Sequence, residues 1–241
     1  MMKPSWGETV GASVSPVPTP DNINSLNIRN MVILIGNQKG GAGKSTLTLL
    51  LANYLTSVYE QKVTVLDMDY QQSISSKYEK AKILENEEPY EIVSVDLDQF
   101  PVLLKVLTKN PDETVLVDLP GKMDDDDLIP VIRSGNLILC PFSYDEFSVD
   151  STLLFAMVTT KINKKAPLVF IPNRLKPNVR YDTRTEVDKV LAKFGAITPG
   201  IADRIDFQRV TTLYTPAIVL PAILPILQLI YDNYINKEDP K

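Results

Sequence analysis

The chain has 241 residues, a net charge of −5 and 44% hydrophobic residues, which suits one globular domain with a core and excludes a disordered chain. It contains no histidine, so triads, general bases and metal sites that depend on histidine are excluded. Cys140 is the single cysteine, which excludes an internal disulfide and a zinc site. These features point to a reducing compartment, and we expect a cytoplasmic protein.

Charge is distributed unevenly along the chain. Residues 161–209 contain eleven Lys or Arg against five Asp or Glu, a net charge of +6, so the remainder carries −11. One segment is therefore basic although the whole chain is acidic. No apolar run approaches ~18 to 20 residues, so we expect no transmembrane helix. The start of the chain lacks the apolar core of a signal peptide.

The predicted elements alternate between strands and helices. Residues 1–29 are rich in Pro, Ser, Asn and Gly without periodicity, which predicts a flexible tail before one folded domain over 30–241. Apolar runs predict strands at 31–36, 62–69, 91–97, 114–121, 136–142, 167–173 and 196–202. Helical spacing predicts helices at 44–59, after 97 to about Lys109, at 147–163, at 182–194 capped by Asp182 or Thr183, and at 221–235.

This order predicts an α/β fold with a doubly wound, mainly parallel sheet and helices on both faces. Ligands of such sheets bind beyond the carboxyl ends of the strands. The loop after the first predicted strand lies at that edge, and it carries the sequence KGGAGKST over residues 39–46.

The glycines of this loop allow successive backbone N–H groups to point at phosphate oxygens, and the following helix adds the positive end of its dipole. The loop therefore predicts the phosphate-binding loop of a P-loop NTPase fold, in which Lys44 binds the β- and γ-phosphates and Ser45 is a ligand of Mg²⁺. The usual pattern begins with glycine where this chain has Gln38. The predicted nucleotide-binding residues of the loop are Gly40, Gly41, Ala42, Gly43, Lys44, Ser45 and Thr46.

Carboxylates follow two other predicted strands. Asp67 and Asp69 end the second strand in VLDMDYQQS, and Asp118 ends the fourth in TVLVDLPG. Carboxylates near a phosphate loop can hold Mg²⁺ or orient an attacking water. Taken alone, Asp67 and Asp69 could equally cap the next turn, and the second lysine, Lys39, could be an ordinary solvated loop lysine.

Together these motifs resemble the deviant Walker A ATPases of the ParA/MinD family, and the N-Q before Lys39 resembles the ParA branch. The resemblance implies a homodimer that sandwiches two ATP molecules, in which Lys44 serves its own nucleotide and Lys39 reaches across to the partner's. It also implies that Asp69 positions or activates the attacking water. Tyr70 stands where the family usually has proline.

The same resemblance implies further site residues. Asp118 would hold the Mg²⁺ shell, and Asp67 would act near Mg²⁺ or brace the loop. Asn173, at the end of the sixth predicted strand, would contact adenine, with an ordinary turn asparagine as the alternative. The segment after residues 212–216 would border the base.

The acidic run Asp124–Asp127 follows the fourth predicted strand. We expect a solvated turn with a helix cap there, and a second metal site is the alternative.

We weigh three functions for an ATPase of this kind, the first of which has a variant. The first is a partition ATPase for a plasmid or mobile element, located in the cytoplasm on the nucleoid, that binds double-stranded DNA without sequence preference and is stimulated by a ParB-like protein. Its variant is a ParA-like ATPase that positions a protein assembly or conjugation machinery. The others are a MinD-like membrane ATPase, for which the C-terminus lacks a basic amphipathic face, and a related metabolic enzyme, against which Lys39 argues.

The basic segment supplies candidate DNA contacts, and two such patches in a dimer would give a salt-dependent affinity. The alternative is that these are solvated charges, some of them paired with Asp182, Glu186 or Asp188. The candidate residues are Arg174, Lys176, Arg180, Arg184, Arg204 and Arg209.

Overall fold

The structure, a computed structural model, describes residues 30–69, 74–75, 79, 89–177, 179 and 181–236. The predicted tail 1–29 lies outside the described residues, and so do Tyr70, Gln71 and the DNA-contact candidate Arg180.

Seven strands and six α-helices are seen in the described part of the chain. The strands are β1 Met31–Ile35, β2 Lys62–Asp67, β3 Glu91–Ser94, β4 Glu113–Asp118, β5 Leu137–Phe142, β6 Leu168–Pro172 and β7 Ala196–Ile197. The helices are α1 Lys44–Tyr59, α2 Phe100–Leu107, α3 Leu128–Ser134, α4 Glu146–Ile162, α5 Arg184–Leu191 and α6 Leu220–Ile230. Ile205–Arg209 and Ala217–Val219 form 3₁₀ turns, and Tyr231–Ile235 continues α6 as a π-helical turn.

The strands form one parallel sheet in the order β3-β2-β4-β1-β5-β6-β7. β1 lies at its centre, with Ile33 opposite Leu116 of β4 on one side and Leu137 of β5 on the other. Two buried apolar clusters cover the two faces: α1 and α6 pack on one face, and α2, α3, α4 and α5 pack on the other. The predicted doubly wound fold of P-loop NTPases is confirmed.

The observed elements are shorter than predicted at several ends. β3 ends at Ser94 and not at residue 97, and β7 has two residues followed by a single bridge between Leu175 and Ala202. α5 begins at Arg184 with Thr183 at its N-cap position, where the Thr183 side chain makes no capping hydrogen bond. After β3 ends at Ser94, Val95 is still buried but Asp96 is exposed, so the apolar pattern extends further than the strand pairing.

The acidic run forms the turn that precedes α3. The N–H of Asp127 donates to Asp125 Oδ1 at 2.9 Å, and Asp127 occupies the N-cap position without a side-chain capping bond. Among the described residues, no cluster of three or more acidic, His or Cys side chains could hold a metal ion. The expected solvated turn is present, but the expected helix cap makes no side-chain hydrogen bond, and no described cluster of acidic residues supports the alternative of a second metal site.

The C-terminal helical run is longer than expected. Ala217–Ile235 is long and apolar enough to cross a membrane by length and composition, with a mean hydropathy of 1.5 and 33% of the window buried. Gln228, Asp232 and Asn233 interrupt this window, so it is not an unbroken apolar run of ~18 to 20 residues. Ile223, Ile226 and Ile230 of this run lie in the apolar cluster that also contains α1. A core helix passes the same test, so the finding is weak evidence for a membrane span.

Candidate nucleotide-binding site

The phosphate loop is anchored where it leaves β1. Asn37 is completely buried, and its Nδ2 donates to the carbonyl oxygen of Pro141 and to Thr152 Oγ1, both at 2.9 Å. Its Oδ1 accepts the N–H of Lys39 at 3.0 Å. The start of the loop is thus fixed to β5 and α4. Sequence reasoning missed the anchoring role of Asn37, because Pro141 and Thr152 lie more than a hundred residues away along the chain.

Two glycines give the loop its curvature. Gly41 has φ 75° and Gly43 has φ 99°, in the left-handed region that glycine adopts without strain. Gly43 is also the N-cap of α1, and the first turn of that helix contains no acidic residue. The positive end of the helix therefore remains available to an anion.

Asn173 closes the loop from the side of β6. Its Nδ2 donates to the carbonyl oxygen of Ala42 at 2.9 Å. A Cβ on residue 43 would lie 2.3 Å from this Nδ2, so the approach requires glycine. The role predicted for Asn173 is contact with adenine, which stays a prediction. The structure adds that its amide braces the phosphate loop.

Lys44, Ser45 and Asp118 meet beneath the loop. Lys44 is buried, with its Nζ beside Gly121 in the loop after β4, where an added Cβ would lie 3.8 Å away. Ser45 Oγ donates to Asp118 Oδ2 at 2.6 Å. The order β4-β1 makes this meeting possible, since Asp118 ends the strand beside the one that leads into the loop.

Asp118 is the most perturbed carboxylate of the site. It is completely buried, and burial raises its pKa to about 7, although the Ser45 hydroxyl and the Lys44 charge oppose this shift. The negative charges of Asp67 and Asp69 contribute a smaller part of this rise in the pKa by repulsion. Within the described part of the chain, Asp118 Oδ1 has no hydrogen-bond partner.

A buried carboxylate oxygen without a partner is the atom that a cation would satisfy. Mg²⁺ at nucleotide sites takes one or two protein oxygens and completes its shell with water and phosphate. Ser45 Oγ and Asp118 therefore fit a Mg²⁺ ion, and a cluster of three carboxylates is not required.

Asp67 has a different environment. It is 1% exposed, and its Oδ2 accepts the N–H and the Oγ–H of Ser75 at 2.9 and 2.8 Å. Its Oδ1 accepts the N–H of Asp69 at 3.3 Å. Both oxygens thus hold backbone after β2, at Asp69 and Ser75, and the expected role of Asp67 near Mg²⁺ stays a prediction. Asp69 is half-buried at the end of this brace.

A cavity of about 390 Å³ adjoins the phosphate loop. It is bordered by Thr46, Pro141, Asn173 and residues 201–205 and 207–208, and its volume is within the usual range of small-ligand sites. A base attached to phosphates in the loop would enter this cavity. A separate apolar cavity of about 730 Å³ lies between α1 and α6, bordered by residues 213–215 and, after them, by Leu220 and Leu224. The contact of the segment after residues 212–216 with the base stays a prediction.

Lys39 lies at the rim of the loop. Its Nζ is 5.5 Å from the ring centroid of Phe147 at the start of α4. The Phe147 side chain is 73% exposed. A cation over an exposed aromatic face gains ~0.5–1 kcal/mol, which is weak enough to exchange for another partner. Sequence reasoning did not identify Phe147.

The described candidates for DNA contact lie in different surroundings, and their role stays a prediction. Arg174 borders the nucleotide cavity, with its Nη1 3.8 Å from a Cβ placed on Gly41. Arg204 borders the same cavity and pairs with Asp206 at 3.7 Å. Arg184 pairs with Asp188 at 3.6 Å and lies over Tyr144. Lys176 and Arg209 are exposed.

The fold and this site define a P-loop nucleotide-binding protein. Residues 33–203 match the CobQ/CobB/MinD/ParA nucleotide-binding domain family. The chain belongs to this family, and its resemblance to the ParA/MinD ATPases is confirmed. A comparison with curated protein sequences found no significant match.

Solved structures share the fold. A Borrelia burgdorferi B31 protein assigned to plasmid partition and bound to AMPPNP is 23% identical, with a TM-score of 0.63 over 83% of this chain and 99% of that one. The Cyanothece McdA–ATP complex is 15% identical, with a TM-score of 0.67 over 88% and 99%. MinD of Aquifex aeolicus in complex with MinC is 15% identical, with a TM-score of 0.61 over 88% and 100%.

Proposed function

We propose that this protein is a Mg²⁺-dependent ATP hydrolase that dimerises with ATP, binds DNA without sequence preference and acts in the partition of a plasmid or mobile element. The observation that carries the ATPase assignment is the convergence of Lys44, Ser45 and the unsatisfied Asp118 Oδ1 beneath a glycine loop. Donors and a cation site that face one concave loop are what polyphosphate binding requires.

Each residue has a chemical role in this proposal. Lys44 and the loop N–H groups bind the phosphates, and Asn37 and Asn173 hold the loop in shape. Ser45 and Asp118 hold Mg²⁺, which supplies charge neutralisation when bound. Asp69 accepts a hydrogen bond from the attacking water, and Asp67 keeps Asp69 in place through its backbone N–H.

The proposed dimer gives Lys39 its function. Its ammonium lies at the surface of a single chain, held by one weak contact with Phe147. In the dimer it exchanges this contact for the phosphates of the partner's nucleotide and stabilises the charge that develops during hydrolysis, as an arginine finger does. ATP therefore favours the dimer, and hydrolysis dissolves it.

Partition is the proposed purpose of this cycle. The dimer binds DNA in the cytoplasm, on the nucleoid, and a ParB-like protein on the cargo stimulates hydrolysis. The fold of the Borrelia plasmid partition protein supports this assignment. No role at a membrane is proposed, because the buried side of the C-terminal helical run belongs to the core.

A second candidate is an ATPase that positions a protein assembly or conjugation machinery. The surroundings of three arginines that the sequence suggested for DNA contact favour this candidate. Arg184 and Arg204 are paired with carboxylates, and Arg174 borders the nucleotide cavity. A protein cargo does not require a phosphate-binding surface.

Binding of random-sequence duplex DNA by the Asp69→Ala variant tests the proposal. With ATP we expect this variant to form dimers and to bind DNA with an affinity that falls steeply with salt, and with ADP we expect neither. Lys44→Ala is the control, because it should lose nucleotide and therefore both properties. ATP-dependent dimers that ignore DNA at every salt concentration would overturn DNA binding and favour the protein-cargo candidate.

A further inference from the structure

A lysine-rimmed groove lies at the opposite edge of the sheet from the nucleotide site. The α4–β6 loop, residues 163–167, and the α5–β7 turn, residues 192–195, both lead into the amino ends of strands. They enclose a groove of about 500 Å³ with Lys164, Lys165 and Lys193 on its lining and with Phe194 and Tyr234 half-buried in it. We call this feature the lysine groove.

The loop that carries two of these lysines is held rigidly. Asn163 is 8% exposed, and its Nδ2 donates to the carbonyl oxygens of Ile132 and Gly135 at 2.8 and 2.9 Å. Its Oδ1 accepts the N–H groups of Lys165 and Ala166 at 3.2 and 3.1 Å. Lys164 and Lys165 therefore project from a fixed backbone, and less backbone entropy is lost when they bind.

The other wall is fixed by a close backbone approach. A Cβ on Gly195 would lie 2.0 Å from the carbonyl oxygen of Leu168, so the turn after α5 packs directly on β6. This contact sets Lys193 and Phe194 across the groove from the α4–β6 loop. The three lysines come from two segments that are about thirty residues apart in sequence, and the fold brings them together.

The described lining of the groove carries no compensating negative charge. Among the described residues, no acidic side chain lines it and no ion pair involves Lys164, Lys165 or Lys193. All three lysines are exposed. By contrast, Arg184 and Arg204 are paired with carboxylates. Three unpaired positive charges of segment 161–209 thus lie together in the lysine groove, whereas Arg174, Lys176 and Arg209, which also have no ion pair among the described residues, lie outside it.

We propose that the lysine groove binds the phosphate backbone of duplex DNA. Three mobile ammonium groups on a rigid rim are suited to neighbouring phosphates, and they make no base-specific readout. The half-buried aromatic side chains offer no broad apolar face for insertion into a bilayer. This inference rests on the proposed DNA-binding function, and it assigns that function to the edge of the sheet away from the nucleotide.

The test compares Lys164→Gln/Lys165→Gln with Lys105→Gln/Lys109→Gln in full-length protein with AMPPNP. The control pair is exposed, equally charged and located around α2, which follows β3 at the opposite end of the strand order from β6 and β7. Binding of random-sequence duplex DNA is measured by fluorescence anisotropy across a salt series. Binding of AMPPNP is measured in parallel and should be equal in all three proteins.

We expect the groove variant to bind DNA about tenfold more weakly or worse at low salt. The slope of log affinity against log salt should become shallower by about 0.9 for each phosphate that the variant no longer neutralises, and the control pair should match the wild type. Equal slopes for all three proteins would overturn the lysine groove while leaving DNA binding intact. Absence of DNA binding by the wild type would instead overturn the proposed function and the groove with it. Groove-dependent binding to anionic vesicles but not to DNA would replace DNA with a membrane.

Discussion

At the scale of single residues, the phosphate loop depends on positive φ angles that residues other than glycine rarely adopt. Gly43 combines a φ of 99° with a 2.3 Å approach to Asn173, whereas Gly40 lies in open space with nothing within 4 Å of an added Cβ. The two positions are three residues apart, and both are glycines of the KGGAGKST motif. Alanine at each position therefore forms a matched pair. The substitution at residue 43 introduces backbone strain and a steric clash, and the one at residue 40 adds only a methyl group.

Gly43→Ala should lower the free energy of unfolding by ~1–3 kcal/mol and abolish ATP binding, because the loop must open to admit the Cβ. Gly40→Ala should change the free energy of unfolding by less than ~0.5 kcal/mol. Urea unfolding and fluorescent-nucleotide binding check both variants. Equal stabilities for the two would show that residue 43 does not need its left-handed angle.

Asp118 makes stability depend on pH. Its folded-state pKa of about 7 lies above the ordinary value of 3.8, so the nucleotide-free folded state binds more protons than the unfolded state between these values. The free energy of unfolding should therefore fall as pH rises through this window, by up to ~1.4 kcal/mol per pH unit from this group. Above pH 7 the full cost of the buried charge is present.

Asp118→Asn should flatten this dependence and be more stable than the wild type at pH 7.5, with the difference fading towards pH 4. Thermal and urea unfolding across pH 4 to 8 measure the effect. Mg²⁺ with ATP should stabilise the wild type at pH 7.5 far more than the variant, since the metal satisfies the carboxylate. Parallel pH curves for the two proteins would contradict the raised pKa.

At the scale of elements, α1 and α4 flank the loop but differ in their environment. Eleven of the sixteen residues of α1 are buried, because the helix lies between the sheet and α6. α4 covers the other face and keeps one exposed side, which includes Leu154 at 48% exposure. The phosphate loop thus leads into the helix that the core constrains most.

Leu51→Ala in α1 should lower the free energy of unfolding by ~2–5 kcal/mol, because Leu51 is completely buried and its removal leaves a cavity. Leu154→Ala in α4 is the matched control and should change it by less than ~1 kcal/mol. Chemical unfolding measures both. A similar loss for both variants would mean that a partner or a second copy buries Leu154 in solution.

At the scale of the whole molecule, the two proposed sites lie at opposite edges of the sheet. The carboxyl edge holds the nucleotide site with Lys39 at its rim, and the amino edge holds the lysine groove. A dimer formed through the carboxyl edges would leave the lysine groove of each protomer accessible. Nucleotide and DNA could then bind at the same time.

Lys39→Ala should bind ATP as the wild type does, because Lys44 serves the phosphates of its own chain, but it should lose the ATP-dependent dimer. Lys105→Ala, which removes an exposed lysine from α2, should retain it. Sedimentation with AMPPNP measures the dimer, and nucleotide titration measures binding. A dimer that survives in Lys39→Ala would remove the proposed role of Lys39 in the partner's site.

The sequence by itself determined the alternation of strands and helices, the phosphate loop and the strands after which Asp67, Asp69 and Asp118 lie. These are local features: periodicity and turn chemistry are complete within a dozen neighbouring residues. Short elements such as α3 escaped prediction, because seven residues give too few turns to establish a period.

Only the tertiary structure decided which distant side chains meet. The order of strands brings Asp118 to Ser45, Asn173 to Ala42 and Asn37 to Thr152, pairs that are 73, 131 and 115 residues apart. It also moved Arg174 to the nucleotide cavity and gathered the lysines of two loops into one groove. Periodicity encodes which face of an element is buried, but the neighbour of each strand depends on how the whole core packs.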